Sequence, residues 1–162
     1  MNKIIYLSLI ILIAGCSSEA TNNETISVDK DKTYNWRLVT SWPKNYPGLG
    51  MAPERIADLV EEMSDGQMTI TVYGAEEQVP AFGVFDAVSS GSHQMGHSGG
   101  YFWKGKVPAA QFFTSVPFGL TADEINAWVN RGGGLELWRE IYAPFNIYPC
   151  LLYTSPSPRD SV

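Results

Sequence analysis

The chain has 162 residues, a hydrophobic fraction of 44% and a charged fraction of 17%, the balance of a globular domain with its own core. Its formal net charge is −6 at pH 7 and no basic stripe runs along it, which argues against nucleic acid as a partner. The two cysteines, Cys16 and Cys150, lie far apart and predict no disulfide framework.

Residues 1–16 have the pattern of a lipoprotein signal peptide. Lys3 gives a positive start, an apolar run covers residues 4–14, and Cys16 follows small residues. The apolar run is too short to span a bilayer comfortably. We expect Cys16 to become a lipidated N-terminus, and the alternative is an ordinary secretory signal with a chance cysteine. Both interpretations predict a protein that works outside the cytoplasm, and the first predicts one held at the membrane by a lipid anchor.

Two polar segments flank the predicted domain, which covers residues 34–149. Residues 17–33 contain almost nothing to bury and predict a flexible tether. Residues 150–162 form a tail in which LLYTSPSPRDSV resembles a peptide translated from a vector or adapter end, a natural disordered tail being the alternative. If the tail is foreign, the natural protein continues past Pro149 and this chain is a fragment.

Strand and helix patterns alternate along the first half of the domain. Residues 34–41 predict a strand, a helix with Pro53 in its first turn follows, and Met68–Tyr73 predicts a second strand. Residues 80–90 predict a second helix with Phe82, Phe85 and Val88 on one side, and residues 93–98 predict a third strand. This βαβαβ order with short links indicates an α/β fold with a parallel sheet.

Helices dominate the segment that follows. Thr121 and Glu124 form a capping box at the start of one predicted helix. Three consecutive glycines, residues 132–134, predict a turn, and residues 135–142 predict another helix. Residues 145–149 predict the beginning of a further strand.

The candidate site lies beyond the carboxyl ends of the strands, where ligands gather in sheets of this kind. Two loops qualify, residues 41–43 after the first strand and residues 98–103 after the third. The second loop carries the consecutive aromatic residues Tyr101, Phe102 and Trp103, at least one of which belongs to the core. A phenol such as that of Tyr101 suits a carboxylate or hydroxyl ligand, so this loop favours binding over turnover.

The sequence predicts no catalytic residues and no metal site. His93 and His97 are four residues apart on a predicted strand, too far apart to chelate one ion, and a hydrogen-bonded histidine at a strand end is the favoured interpretation. Glu76 and Glu77 are consecutive on a loop and are interpreted as solvated surface carboxylates. The glycines at 132–134 lack the lysine of a phosphate-binding loop, and no serine nucleophile motif is present.

Four longer stretches carry a family resemblance: SWPKNYPGLG (41–50), VPAFGVFDAVSSG (79–91), MGHSGGYFWKGKVPAAQFFTSVPFGLTADEINAW (95–128) and GGGLELWREIYAPFNI (132–147). They resemble the solute-binding proteins of TRAP transporters, in the branch that binds 2-oxo acids and similar monocarboxylates. The similarity covers about residues 34–149. It implies the first lobe of a two-lobed, periplasmic-binding-protein-like fold, incomplete in this chain.

The resemblance also implies a function and site residues. Such a protein captures a small organic acid and delivers it to the membrane subunits of the transporter. The arginine that holds the carboxylate, and the cation that this branch can place beside the ligand, belong mostly to the half that follows the matched segment, so no cofactor is expected in this part. Trp42, Phe82 and Tyr101 are the positions carried over as first-lobe lining. The chain departs from the usual pattern at residues 74–80 and at Gly83, which leaves the choice of acid open.

Two functions of other classes stay open at this point. One is a secreted α/β enzyme whose catalytic half is missing from this chain. The other is a carbohydrate- or protein-binding lipoprotein that uses exposed tryptophans.

Overall fold

A computed structural model describes residues 32–114 and 116–150 of the chain. The predicted signal peptide with Cys16, the tether up to residue 31 and the tail from residue 151 lie outside the described residues. Among the helices of the described part, none combines the length and the apolar character needed to cross a membrane.

The sheet has three parallel strands, β1 (Tyr34–Thr40), β2 (Met68–Tyr73) and β3 (Met95–His97), in the order β2-β1-β3. In this register Leu38 of β1 lies opposite Val72 on one side and Met95 on the other. The βαβαβ order and the parallel pairing predicted from the sequence are both confirmed. β1 is therefore the central strand, with a neighbour on each side.

In the described part of the chain, four α-helices accompany the sheet: α1 (Met51–Met63), α2 (Val84–Ser89), α3 (Ala122–Arg131) and α4 (Gly134–Tyr142). Short 3-10 helices fill the connections at Ala81–Gly83, Gly100–Trp103, Pro108–Phe113 and Ala143–Phe145. The predicted capping box is present, because Thr121 Oγ1 accepts the Glu124 amide while the Glu124 carboxylate accepts the Thr121 amide. The turn between α3 and α4 needs a left-handed residue, and Gly133, with φ of 84°, supplies it.

Helices cover both faces of the sheet. On one face Leu38, Ile70 and Val72 pack against Ala57 of α1. On the other face Val39 packs against α2 and joins the larger core, which continues through the 3-10 helices into α3 and α4. α2 lies so close to β3 that a Cβ at position 96 would approach two valine methyl groups of the helix to 2.8 Å, so only glycine fits there.

The single helix predicted for residues 80–90 is wrong. Residues Ala81–Gly83 form a 3-10 turn, closed by a 2.7 Å hydrogen bond from the Gly83 amide to the Pro80 carbonyl, and α2 begins only afterwards. Because the tighter turn changes the rotation of the backbone, the predicted common face does not form. Phe85 is buried in the core, whereas Phe82 is 66% exposed.

Two of the predicted strands also differ from the structure. The third strand is shorter than residues 93–98 because the His93 amide donates to the Ala87 carbonyl at the end of α2 instead of joining the sheet. The strand expected at residues 145–149 is absent from the described residues. Its first residue, Phe145, closes a 3-10 turn, and the Phe145 carbonyl accepts a 2.6 Å hydrogen bond from Ser89 of α2.

Candidate functional site

The candidate site lies at the carboxyl ends of β1 and β3. The chain leaves β1, forms β2 on one side of it, and then crosses to form β3 on the other side. Such a reversal of strand order opens a crevice between the two neighbouring strand ends, and ligands of open α/β sheets bind there. Thr40 and His97 are paired at these ends, and the Ser41 amide donates to the His97 carbonyl over 3.0 Å.

Four aromatic side chains, called here the ring cluster, surround this crevice: Trp42, Phe82, Tyr101 and Phe102. Phe102 is at the centre, with ring centroids 6.1 Å from Trp42, 5.2 Å from Phe82 and 4.4 Å from Tyr101. The structure thus brings together the three residues carried over as ligand lining. Phe82 is exposed, and the other three are only half-buried, so ring surface remains open to solvent. Whether these rings touch a ligand stays a prediction.

Two glycines allow the Tyr101–Phe102 corner to fold so tightly. A Cβ on Gly99 would lie 2.6 Å from the Tyr101 ring, and one on Gly100 would lie 2.6 Å from the Ala110 carbonyl oxygen. Close approach, and not an unusual φ, is therefore what glycine provides at both positions. The next residue, Trp103, is buried against Phe85 with 5.4 Å between ring centroids, so this member of the aromatic triplet belongs to the core.

His97 connects the strand ends to the ring cluster. Its Nδ1 is 3.1 Å from the Thr40 hydroxyl, which also accepts the Trp42 amide at 3.2 Å, and its ring lies 4.9 Å from the Trp42 ring. Burial lowers the pKa of His97 below its ordinary value, which favours a neutral imidazole. The expected hydrogen-bonded histidine at a strand end is therefore what the structure shows at His97.

Two serine hydroxyls tie the strand ends to the turn that carries Phe82. Ser41 Oγ donates to the Ala81 carbonyl at 2.7 Å and lies 2.6 Å from Ser98 Oγ. Since the Ser41 proton is used on Ala81, the Ser98 hydroxyl donates to Ser41. The residue before Phe82 is thereby fastened directly to the ends of β1 and β3.

The loop at residues 74–80 borders the ring cluster, and its two glutamates are more than solvated charges. Glu77 Oε2 accepts the Gly74 amide at 3.1 Å and pairs with Lys44 Nζ at 3.3 Å. Glu76 Oε1 accepts the Ala81 amide, also at 3.1 Å. Both side chains are exposed, as expected for surface carboxylates, and each also accepts a backbone N–H.

His93 takes no part in this site. It is buried beside the amino end of β3, its Nδ1 lies 3.2 Å from the Ser92 hydroxyl, and its ring meets Tyr73 edge-on at 6.5 Å. Burial, and secondarily the charge of Arg37, lowers the pKa of His93. Within residues 32–114 and 116–150, no three or more His, Cys, Asp or Glu side chains gather as a metal site would require.

Comparison with known proteins identifies the family. Residues 38–149 match the model of the DctP family, bacterial extracellular solute-binding protein family 7. The chain belongs to this family. The resemblance to TRAP solute-binding proteins is thus confirmed, and the family's description places its members outside the cytoplasm as solute-binding proteins.

Three relatives show where the similarity lies. The monocarboxylate 2-oxoacid-binding periplasmic protein of Nostoc sp. (strain PCC 7120) is 46% identical over 112 residues, which are 69% of this chain and 30% of the relative. A TRAP periplasmic solute binding protein of Pseudoalteromonas atlantica, solved with bound sodium and pyruvate, is 49% identical with a TM-score of 0.70. One from Colwellia psychrerythraea, solved with bound calcium and pyruvate, is 44% identical with the same TM-score.

Each of the two solved structures is matched over 72% of this chain and 36% of its own length. The chain therefore spans about a third of the length of the relatives it matches. The matches confirm the α/β fold as that of part of a TRAP periplasmic solute-binding protein.

Proposed function

We propose that this chain forms the first, ligand-facing part of the extracytoplasmic solute-binding subunit of a TRAP-type secondary transporter. Its ligand is a small organic acid, a 2-oxo acid or similar monocarboxylate. The observation that carries the proposal is the convergence of Trp42, Phe82 and Tyr101 on Phe102 at the crevice between β1 and β3. The two relatives solved with pyruvate support the class of ligand.

The ring cluster supplies shape and apolar contact. Half-buried aromatic faces can cover the flat carbon skeleton of a 2-oxo acid, and the Tyr101 hydroxyl can donate to one of its oxygens. A desolvated carboxylate also needs a charge-assisted partner, and arginine is the side chain whose geometry matches it. We assign that role to an arginine outside the described residues, on a second lobe that closes over the rings by a hinge motion.

A cation beside the ligand, as in the sodium- and calcium-bound relatives, needs oxygen donors. Within the described residues, no three or more His, Cys, Asp or Glu side chains gather to hold it. No step of the proposed binding is therefore assigned to a cation held by this part of the chain.

We also propose that Cys16 carries a lipid anchor. It would keep a binding protein, which needs no catalytic group, beside the membrane subunits that receive its ligand. The sequence of residues 1–16 supports this proposal, and those residues lie outside the described part of the chain.

The test is calorimetric titration of the full-length gene product with pyruvate. We expect Trp42→Ala and Phe82→Ala to weaken binding about tenfold or more each, because each removes an aromatic face from the site. Tyr101→Phe should weaken it by about three- to tenfold through the lost hydroxyl. Trp36→Ala, which alters an exposed tryptophan on the amino half of β1, is the matched control and should bind as wild type does.

Two results would contradict the proposed function. One is the absence of any heat or thermal shift with pyruvate and other small organic acids. The other is equal binding by the ring-cluster variants and the Trp36→Ala control, which would place the ligand elsewhere.

A further inference from the structure

We propose that Glu76 is a positioning residue that holds Phe82 in the orientation in which it meets the ligand. This inference rests on the proposed function and adds to it a residue outside the ring cluster. It assigns a role to the loop at residues 74–80, whose two carboxylates the sequence alone suggested were only solvated.

The backbone of Ala81 is held at both of its polar atoms. Its N–H donates to Glu76 Oε1 at 3.1 Å, and its carbonyl accepts from Ser41 Oγ at 2.7 Å. The Gly83 amide closes the same turn on the Pro80 carbonyl. The backbone on either side of Phe82 is therefore fixed by three hydrogen bonds, and the Glu76 side chain supplies the acceptor for one of them.

Phe82 needs such support because burial cannot provide it. The side chain is 66% exposed, and its recorded ring contact is an edge-on approach to Phe102 at 5.2 Å. An exposed side chain held by so little packing keeps rotamer freedom, which a ligand must then remove on binding. Fixing the backbone of the turn reduces the number of positions that the ring can take before the ligand arrives.

The loop itself is built to aim the Glu76 carboxylate. Glu76 has φ of 69°, in the left-handed region that non-glycine residues rarely adopt, and its amide donates to the Val79 carbonyl. Such a conformation persists only where the surroundings determine it.

The loop is held in place by its neighbours. Glu77 pairs with Lys44 and accepts the Gly74 amide, and the Ala75 amide donates to the Trp42 carbonyl at 3.0 Å. The same loop thus joins the backbone of Trp42 to that of Ala81, the residue before Phe82.

The first test needs no ligand. In the full-length gene product, amide hydrogen exchange at Ala81, followed by NMR, should become about five- to tenfold faster in Glu76→Ala, as expected for one lost hydrogen bond. Glu76→Gln keeps the acceptor oxygen and should restore slow exchange. Gln78→Ala, an exposed change on the same loop, is the control. Unchanged exchange at Ala81 in Glu76→Ala would overturn the assignment.

The second test is a double-mutant cycle on pyruvate affinity. Glu76→Ala should raise the dissociation constant about three- to tenfold in the wild-type background. It should have no further effect in the Phe82→Ala background, because a residue that acts through Phe82 loses its influence when the ring is gone. Glu76→Gln should bind as wild type does. Additive losses, or an equal loss in Glu76→Gln, would contradict positioning through Phe82.

The two tests separate this inference from the proposed function. If the wild-type protein does not bind pyruvate, the proposed function fails while the exchange measurement still decides whether Glu76 holds the turn. If pyruvate binds and Phe82→Ala weakens it but Glu76→Ala does not, the role of Glu76 alone is overturned.

Discussion

Replacing Phe113 with alanine should cost about 3–5 kcal/mol of unfolding free energy. Phe113 is 4% exposed, and its ring is stacked between Trp128 of α3 (5.4 Å) and Trp138 of α4 (5.6 Å). Removing a buried phenylalanine loses about 1.5–3 kcal/mol of transfer free energy. Each aromatic pair adds about 0.5–1.5 kcal/mol beyond burial. The stack joins α3 and α4 to the segment that follows the ring cluster, so its loss should loosen that connection first.

The neighbouring residue is a matched control. Phe112 has the same side chain but is 55% exposed, so Phe112→Ala should change stability by no more than about 0.5 kcal/mol. Phe113→Leu keeps most of the buried volume and loses the stacking, and should cost about 1–2 kcal/mol. Urea unfolding followed by tryptophan fluorescence measures all three variants, since two tryptophans flank the altered ring. A loss below about 1 kcal/mol for Phe113→Ala, or equal losses at the two positions, would refute the described stack.

Three further predictions follow from other parts of the chain. The pKa values of His93 and His97 are lowered from 6.5 in the folded protein, so the unfolded chain takes up more protons as pH falls below 6.5. The free energy of unfolding should therefore be highest above pH 6.5 and decrease below it. Urea unfolding at pH 7.5 and pH 5.5 should show this decrease, and His97→Asn should make it smaller. An unfolding free energy that does not change with pH would contradict the prediction. Gly96→Ala should destabilise the protein by about 1–3 kcal/mol, because the added methyl group pushes α2 away from the sheet. Gly105→Ala should leave the stability unchanged, because a Cβ at that position meets no other atom. Thermal unfolding of the two variants compares these effects. Cys16→Ser should move the protein from the membrane fraction to the soluble periplasmic fraction on cell fractionation, and an unchanged distribution would contradict lipidation.

Most of the fold could be predicted from local sequence patterns. The strand patterns of β1 and β2, the helical spacing in α1 and the Thr121–Glu124 capping box are all properties of neighbouring residues, and the two strands, the helix and the box are all present in the structure. Burial along β1 does not alternate, because its first four residues are exposed and its last three are buried. The break between residues 80–83 and α2 is different. The Ala81 carbonyl in this turn accepts the hydroxyl of Ser41, which is 40 positions away in the chain. A periodicity that is compatible with one helix cannot reveal a hydrogen bond made across the fold.

The same distinction separates the predicted and unpredicted parts of the site. The rule that ligands gather at the carboxyl ends of parallel strands indicated the loops of Trp42 and Tyr101, and family resemblance added Phe82. The central position of Phe102 could not be read from the triplet of aromatic residues, because it depends on how tightly Gly99 and Gly100 let the corner fold. The contact of Glu76 could not be predicted from the sequence for a similar reason, because its partner is the Ala81 amide in the following 3-10 turn.

The hydrogen bonds at the strand ends determine which polar side-chain groups beside the crevice are already used within the fold. The Thr40 hydroxyl already accepts the Trp42 amide and pairs with His97, and Ser41 Oγ is engaged with Ala81 and Ser98. These two hydroxyls are therefore committed within the fold, whereas the Tyr101 side chain lies on the half-buried ring cluster, where its hydroxyl can donate to a ligand. A surface of rings discriminates mainly by size, and one methylene more or less in an apolar site changes binding by only about 1–3 kcal/mol. If the proposed function holds, these rings would limit how bulky an acid fits, and the arginine proposed for the second lobe would select for a carboxylate.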